Sequence, residues 1–310
     1  MGTVHAMRQD EGATLAEAAA AFLDTLDHPE TRGTRRAYAS TLRALRAEFG
    51  DGADVSVLDP VSVGAWFARR WGAAAPATWN RNLDAIRSAQ RYWQDQGWMT
   101  VIDLTGALRR RKRAADRSRA LTRAEIERLL GREDIPVRER VLWRLLYETG
   151  ARSAEVLRLD VEDLDLANRR AKVTRKGSAV DWVIWQTGTA RLLPRLLKGR
   201  KAGAVFLTDR RSRVPLPPAD VDTASGKARL SYRRAAEIFE QATAAEQGGP
   251  WTLHQLRHSA LTHDAENGAS TPMLMAKSGH TSVASLARYA RPSAEALARW
   301  QERNDPARRR

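Results

Sequence analysis

The sequence contains no cysteine, and this absence excludes several kinds of protein. None of the 310 residues is Cys, so a disulfide scaffold, a thiol nucleophile, a cysteine-ligated zinc site and an iron–sulfur cluster are all excluded. No apolar run approaches the roughly 18 residues that a membrane span requires. Residues 1–14 (MGTVHAMRQDEGAT) also lack the apolar segment of a secretory signal. We therefore expect a soluble, intracellular protein.

Acidic residues are scarce relative to basic ones. The chain has 52 Lys and Arg against 37 Asp and Glu, a formal net charge of +15. Such an excess favours an anionic partner, and nucleic acid is the most direct choice. The hydrophobic fraction of 43% is that of a folded globular chain, and its length predicts two domains.

The first half of the chain is predicted to be helical. Apolar residues recur at helical spacing in four segments, which are Thr14–Leu26, Thr34–Phe49, Val61–Trp71 and Pro76–Gln96. The other side of these helices carries six arginines: Arg35, Arg36, Arg43, Arg81, Arg87 and Arg91. Few acidic residues accompany them, so both a solvated charged face and a phosphate-facing surface are open interpretations.

A basic segment separates the two halves. Residues 109–119 (RRRKRAADRSR) hold seven basic residues and one Asp. Like charges repel and keep a chain extended unless DNA phosphates neutralise them. We therefore predict an interdomain linker whose phosphate-binding candidates are Arg109, Arg110, Arg111, Lys112 and Arg113.

The second half combines helices with a few strands. Thr122 and Glu125 form a capping box, and helical stripes follow it. Residues 171–185 contain two β-prone runs separated by a turn at Arg175-Lys176-Gly177-Ser178, a hairpin pattern, whereas residues 209–227 are predicted to form a loop. The fold class is therefore mainly α with a small antiparallel β-sheet, an α+β catalytic domain.

The histidine pair His254 and His258 could be interpreted as the ligands of a metal ion. His254 and His258 stand at i, i+4, the spacing of zinc ligands on a helix. However, Gln255 stands where a zinc peptidase needs a Glu base, and Arg257 between the pair would repel a cation. A metal-dependent hydrolase is thus disfavoured, and we expect no cofactor.

Phosphate chemistry is the better interpretation of the same region. Arg152, Arg257 and Lys176 offer two planar guanidinium groups and one ammonium, a suitable set for a phosphodiester. No acidic cluster near them could hold paired magnesium ions. The nucleophile must therefore be a Ser, Thr, Tyr or Lys side chain, and Tyr289 is the only Tyr after Tyr232.

Four segments, in order, resemble the motifs of the tyrosine recombinases, the phage integrase family. The segments are GARSAEVLRL, TRKGSAVDW, LHQLRHSALTH and SGHTSVASLARY. By this resemblance the catalytic residues are Arg152, Lys176, His254, Arg257, His280 and Tyr289, with Glu155 in support. The resemblance is strong over residues 120–292, while residues 14–97 more loosely resemble the core-binding domain of the family.

The resemblance implies a two-domain DNA clamp. The implied parts are a flexible N-terminus (1–13), a helical core-binding, SAM-like domain (14–100), a basic linker (101–120), a catalytic domain (121–292) and a C-terminal helix with a basic tail (293–310). The stretch before Thr14 is too short for an additional arm-site-binding domain, so we expect a simple two-domain member.

The resemblance also implies an activity and partners. The enzyme would cut and rejoin DNA through a covalent 3′-phosphotyrosyl intermediate without metal or ATP, for integration, excision, transposition or resolution of a DNA element. Its partners would be double-stranded recombination sites, three further copies of the chain in a tetramer on two sites, and accessory DNA-bending or directionality factors. The expected location is cytoplasmic, on the nucleoid.

Two positions depart from the family pattern, and two alternatives stay open. Gln255 stands where Asp is common and Ser278 where Leu is usual. Neither position handles the reacting proton, so we expect activity to survive. The alternatives are a type IB topoisomerase-like enzyme, which reseals its own strand, and a non-catalytic DNA-binding protein on the same fold.

Overall fold

The structure is a computed structural model in two compact units. It describes residues 12–28, 31–100, 103–106, 108–112, 120–175, 180–286 and 294–305. The units are Met1–Arg117 and Ser118–Arg310. Within the described residues, no helix is both long and apolar enough to cross a membrane.

The described part of the first unit contains four α-helices, at the four predicted places. They are α1 (Leu15–Asp24), α2 (Arg32–Phe49), α3 (Pro60–Trp71) and α4 (Pro76–Asp95). Thr14 caps α1 in a reciprocal box with Glu17, which satisfies two backbone N–H groups that the first turn leaves free. Pro60 and Pro76 each open a helix, where a missing N–H costs nothing.

Two hydrogen bonds join the helices of this unit inside its apolar core. Trp93 of α4 is fully buried, and its indole Nε1–H donates to the Ala18 carbonyl of α1 at 2.8 Å. The Thr41 hydroxyl of α2 donates to Asn82 Oδ1 of α4 at 2.7 Å. Buried polar groups are tolerated when they are paired in this way. Because each hydrogen bond joins two helices, the pair fixes how α1, α2 and α4 pack together.

The second unit is mostly helical as well. Its helices are α5 (Arg123–Gly131), α6 (Val137–Thr149), α7 (Ser153–Leu157), α8 (Thr187–Leu197), α9 (Tyr232–Ala242), α10 (Leu253–Glu266), α11 (Thr271–Ser278), α12 (Val283–Leu286) and α13 (Ala294–Asn304). The predicted capping box of Thr122 and Glu125 is confirmed at the start of α5. Helix α6 packs against α8 and α10, and its buried Trp143 makes an edge contact with Phe239 of α9, with ring centroids 5.1 Å apart. The core of this unit therefore surrounds α6.

The described residues form two antiparallel sheets. The first has the order β1 (Leu164–Asp165), β2 (Arg170–Thr174), β3 (Val180–Ile184), and Lys172 pairs with Trp182 in the β2–β3 register. The predicted hairpin is thus confirmed, although its turn, residues 176–179, lies outside the described residues.

The second sheet corrects a prediction. Strands β4 (Leu207–Arg211) and β5 (Lys227–Arg229) pair where the sequence predicted only a loop over residues 209–227. Strand β4 exposes its last three residues and its register shifts between its ends. It therefore has no apolar alternation that a sequence pattern would reveal.

Candidate active site

Arg152 is held at the start of a short helix. Its backbone N–H donates to Glu155 Oε2 at 2.9 Å, and its Nη1 donates to Glu155 Oε1 at 2.8 Å. Glu155 is buried, whereas 43% of the Arg152 side chain is exposed. The carboxylate therefore fixes the guanidinium without removing it from solvent.

Arg257 lies on α10 and is almost completely buried, with 3% of its surface exposed. Its Nη1 donates to the Gly150 carbonyl, and its Nη2 donates to the Ser278 carbonyl at 2.9 Å. Both carbonyls stand at helix C-termini, those of α6 and α11, where the helix dipole is negative. Backbone groups thus hold this cation in a fixed orientation.

His280 joins the two arginines at the loop after α11. Its Nε2 lies 3.3 Å from Arg257 Nη2, and Arg152 Nη2 donates to the carbonyl of the preceding Gly279 at 3.3 Å. Three of the six residues predicted to be catalytic therefore meet at one loop. The set combines two planar cations and one titratable ring, which can bind the non-bridging oxygens of a phosphodiester.

Sequence reasoning did not identify Arg175 as part of this arrangement. The residue directly follows strand β2 and is buried, with its Nε 3.0 Å from Asp181 Oδ2. Its Nη2 lies 3.4 Å from the carbonyls of Ala276 and Lys277. A methyl group on Gly279 would overlap Arg175 Nη1. Arg175 thus packs the end of strand β2 against the loop that carries His280.

His254 lies one turn before Arg257, exposed on the first turn of α10. Gln255, one of the two departures from the family pattern, has a local role here, because its Oε1 accepts the Thr252 N–H at 2.8 Å in the capping box of the helix. The substitution of Asp by Gln at this position therefore keeps the helix start intact. The remaining two predicted catalytic residues, Lys176 and Tyr289, lie outside the described residues.

A second histidine of the same helix has a structural environment. His263 is 5% exposed, and its Nδ1 lies 2.8 Å from the Tyr147 hydroxyl of α6. Burial lowers the pKa of His263 and raises the pKa of Tyr147. Both side chains are therefore uncharged near neutral pH, and they join α6 to α10 within the core. Within the described residues, no group of three or more His, Asp or Glu side chains could hold a metal ion.

The basic residues predicted to bind DNA divide into two groups. Most are exposed, namely Arg36, Arg43, Arg81, Arg91, Arg109, Arg110 and Lys112, whereas Arg113 lies outside the described residues. Arg35 and Arg87 are only partly exposed, and each uses its guanidinium inside the unit, whereas Arg110 is exposed but pairs with Asp84. Arg35 Nε donates to the Leu23 carbonyl at 3.1 Å, and Arg87 Nε donates to the Thr105 hydroxyl at 2.8 Å. These two arginines are weaker candidates for phosphate contacts.

The first part of the basic segment is bound to α4. The Arg111 guanidinium stacks 3.7 Å from the Trp79 ring centroid, and Trp79 Nε1–H donates to the Arg109 carbonyl at 2.9 Å. The Asn80 side chain pairs with both backbone polar groups of Arg111 at 2.8 Å. Residues 109–111 thus belong to the first unit, in contrast to the extended, free linker that charge repulsion predicted.

Comparison with known proteins gives matches to one family of enzymes. The model of the phage integrase family matches residues 119–296. The tyrosine recombinase XerC of Mycobacterium bovis is 31% identical over 292 residues, which cover 88% of this chain and 92% of the relative. Among solved structures, the Tn1549 transposon integrase in complex with transposon right end DNA has a TM-score of 0.66 at 16% identity, covering 94% of this chain and 99% of that chain. A lambda integrase tetramer bound to a Holliday junction has a TM-score of 0.68 at 18% identity, covering 91% and 78%.

The chain therefore belongs to the phage integrase family, the tyrosine recombinases. As a member of that family it is an enzyme of site-specific DNA recombination, which cleaves and rejoins DNA through a phosphotyrosine intermediate.

Proposed function

We propose that Tyr289 is the nucleophile and attacks one scissile phosphate of a recombination site. The attack forms a 3′-phosphotyrosyl bond and releases a 5′-hydroxyl. A free tyrosine has a pKa of about 10, so its proton must pass to a neighbour, and His254 is the proposed acceptor. Lys176 donates a proton to the departing 5′-oxygen. The 5′-hydroxyl of a partner strand then attacks the phosphotyrosine and restores both the phosphodiester and the phenol.

The observation that carries the proposal is the convergence of Arg152, Arg257 and His280 at the loop of Gly279. In the proposed reaction the two arginines bind the non-bridging oxygens, and His280 hydrogen-bonds to the phosphate. Their fixed partners mean that little reorganisation is needed when negative charge develops. Removing one such donor commonly costs on the order of 10²–10³ in rate.

The proposed partner is double-stranded DNA, clamped by both units. This role is supported by the exposed arginines of α2 and α4 and by the segment ending at Lys112. Their positive charge can bind DNA phosphates whatever the base sequence is. Binding should therefore weaken steeply as salt is raised. The proposed site of action is the nucleoid, and accessory DNA-bending factors fit the same scheme.

The proposed assembly is a tetramer on two DNA sites. Helix α13 supports it, since Leu297 and Trp300 lie one turn apart and expose 53% and 46% of their surfaces. We propose that α13 docks on a neighbouring protomer.

The experiment uses fragments of the source genome, each carrying a single nick, as the DNA probe. A nick near the cleavage point lets the short 5′-hydroxyl strand diffuse away, so a covalent complex accumulates. The protein is denatured, and the DNA linked to it is recovered and sequenced. We expect one enriched duplex that contains inverted repeats, and a linkage that maps to Tyr289.

The control is Tyr289→Phe, which lacks only the reacting oxygen. We expect this variant to bind the enriched duplex with wild-type affinity and to form no covalent complex. Loss of binding together with cleavage would contradict the proposed role of Tyr289. Supercoil relaxation by the wild type with no strand exchange between two sites would instead indicate a topoisomerase.

A further inference from the structure

Ser278, the second departure from the family pattern, contacts the active-site histidine. It is the last residue of α11 and is fully buried. Its Oγ lies 2.6 Å from the Leu274 carbonyl oxygen and 2.7 Å from His280 Nδ1. A leucine at this position could make neither hydrogen bond, so the sequence of this chain provides His280 with a partner that the usual residue does not.

The two distances fix the direction of both hydrogen bonds. A carbonyl oxygen carries no proton, so the 2.6 Å contact requires the Ser278 hydroxyl to donate to Leu274. The hydroxyl has a single proton, and it must therefore accept at its other contact. It follows that His280 Nδ1 carries a hydrogen and donates it to Ser278 Oγ.

The other side of the ring is consistent with the same state. His280 Nε2 faces Arg257 Nη2 at 3.3 Å, and a guanidinium group can only donate. A neutral ring protonated on Nδ1 presents a lone pair at Nε2, which accepts from Arg257. Three arginines face this loop, namely Arg257 from α10, Arg152 from the start of α7 and Arg175 from the position after β2.

We propose that Ser278 is a positioning residue that holds His280 in the Nδ1–H tautomer. The proposal rests on the proposed contact between His280 and the scissile phosphate. In this tautomer Nε2 carries no hydrogen, so it can donate a hydrogen bond to a phosphate oxygen only after it has taken up one proton. The resulting imidazolium gives up the hydrogen bond that Nε2 accepted from Arg257 and donates from both nitrogens, and Ser278 Oγ accepts from Nδ1 in either state. The phosphate contact of His280 is thereby coupled to proton uptake.

Nitrogen-15 NMR of the histidine side chains tests the tautomer in the full-length protein without DNA. The shifts distinguish a protonated ring nitrogen from a bare one, and His280→Gln identifies the signals. We expect Nδ1 protonated and Nε2 bare in the wild type, and exchange between the two tautomers in Ser278→Ala, which removes the acceptor of Nδ1. Protonation at Nε2 in the neutral wild-type ring, or identical shifts in Ser278→Ala, would overturn the proposal.

The chain offers a matched control in Ser259. This serine is also fully buried in a helix, its hydroxyl donates to the carbonyl four residues earlier at 2.6 Å, and its Oγ accepts the Leu121 N–H at 2.8 Å. Ser259→Ala therefore loses the same kinds of hydrogen bond away from His280. We expect it to lower stability while leaving the His280 shifts unchanged. Ser278→Thr restores a hydroxyl and should restore the wild-type shifts.

Single-turnover cleavage of the enriched duplex provides the second readout. We expect Ser278→Ala to form the covalent complex about three- to tenfold more slowly, with DNA affinity unchanged, because the imidazolium loses a stronger hydrogen bond at Nδ1 than the neutral ring does. The wild-type rate should also depend on pH more steeply than that of Ser278→Ala, because only the wild type requires proton uptake at Nε2. Equal rates and pH profiles in the two proteins would overturn the coupling. A wild type that forms no covalent complex would contradict the proposed function instead, and the NMR result would still decide the tautomer.

Discussion

A substitution at Gly279 measures how tightly the hairpin is packed against the active-site loop. Gly279 adopts a left-handed conformation with φ of 65°, and a methyl group there would overlap the buried Arg175 guanidinium. Gly150 is a matched control, since it also ends a helix in this conformation, with φ of 61°, but a methyl group would lie 3.5 Å from Leu261. Gly150→Ala therefore adds only backbone strain, whereas Gly279→Ala adds strain and a steric clash.

The magnitudes follow from these environments. The left-handed conformation costs a non-glycine residue about 1–2 kcal/mol, and this is the whole expected loss in Gly150→Ala. In Gly279→Ala, the Arg175 side chain must also leave its place beside Asp181 and the carbonyls of Ala276 and Lys277. Loss of hydrogen bonds to a charged group adds about 1.5–3 kcal/mol. We therefore expect Gly279→Ala to cost about 2.5–5 kcal/mol in total.

A double-mutant cycle tests the cause of the extra cost. Urea unfolding is measured for Gly279→Ala in the wild type and in Arg175→Ala. With the guanidinium absent, we expect the cost of Gly279→Ala to fall to that of Gly150→Ala. An equal cost in both backgrounds would refute the reasoning, because Arg175 would then not occupy the space beside Gly279.

Three further predictions concern other contacts. Burial lowers the pKa of His263, so the contribution of this residue to stability is complete above its unfolded pKa of about 6.5 and is lost as pH falls. The difference in Tm between the wild type and His263→Asn should therefore shrink from about pH 7.5 to about pH 5.5. A constant difference would contradict this prediction. Glu155→Gln keeps the shape but loses the charge that holds Arg152, so single-turnover cleavage should slow roughly 10- to 150-fold, and an unchanged rate would show that the carboxylate is not needed. Trp79→Phe removes the indole hydrogen bond to the basic segment but keeps a ring beneath Arg111. In urea titrations it should lower the free energy of unfolding by about 0.5–1.5 kcal/mol, and no loss would mean that this hydrogen bond contributes nothing.

Local signals in the sequence predicted much of the fold. The capping residues Thr14 and Thr122, the prolines at Pro60 and Pro76 and the left-handed Gly150 act within one turn of chain, so their effects can be read directly. The β4–β5 sheet was not predictable in this way. Its two strands pair only over a few residues, and β4 ends in exposed arginines, so only the tertiary fold brings the strands together.

The candidate site shows the same division. The family motifs named Arg257 and His280, but not that Arg257 is buried or that it binds two backbone carbonyls, because those contacts join residues far apart in the chain. The hairpin pattern places Arg175 only in a turn, because the burial of this residue depends on the position of α11. The sequence shows Ser278 only as a substitution at a position that handles no proton, because its contact with His280 requires the end of α11 to be in place.

The hydrogen-bond partners of Arg257 limit which mutations can disturb this residue during evolution. Two carbonyls, of Gly150 and Ser278, hold the guanidinium, and a carbonyl is present whatever side chain a residue bears. Mutation of a neighbouring side chain cannot delete such a partner; only a change in where a helix stops can. Selection on the partners of Arg257 should therefore act on helix length and on the glycines that terminate α6 and α11.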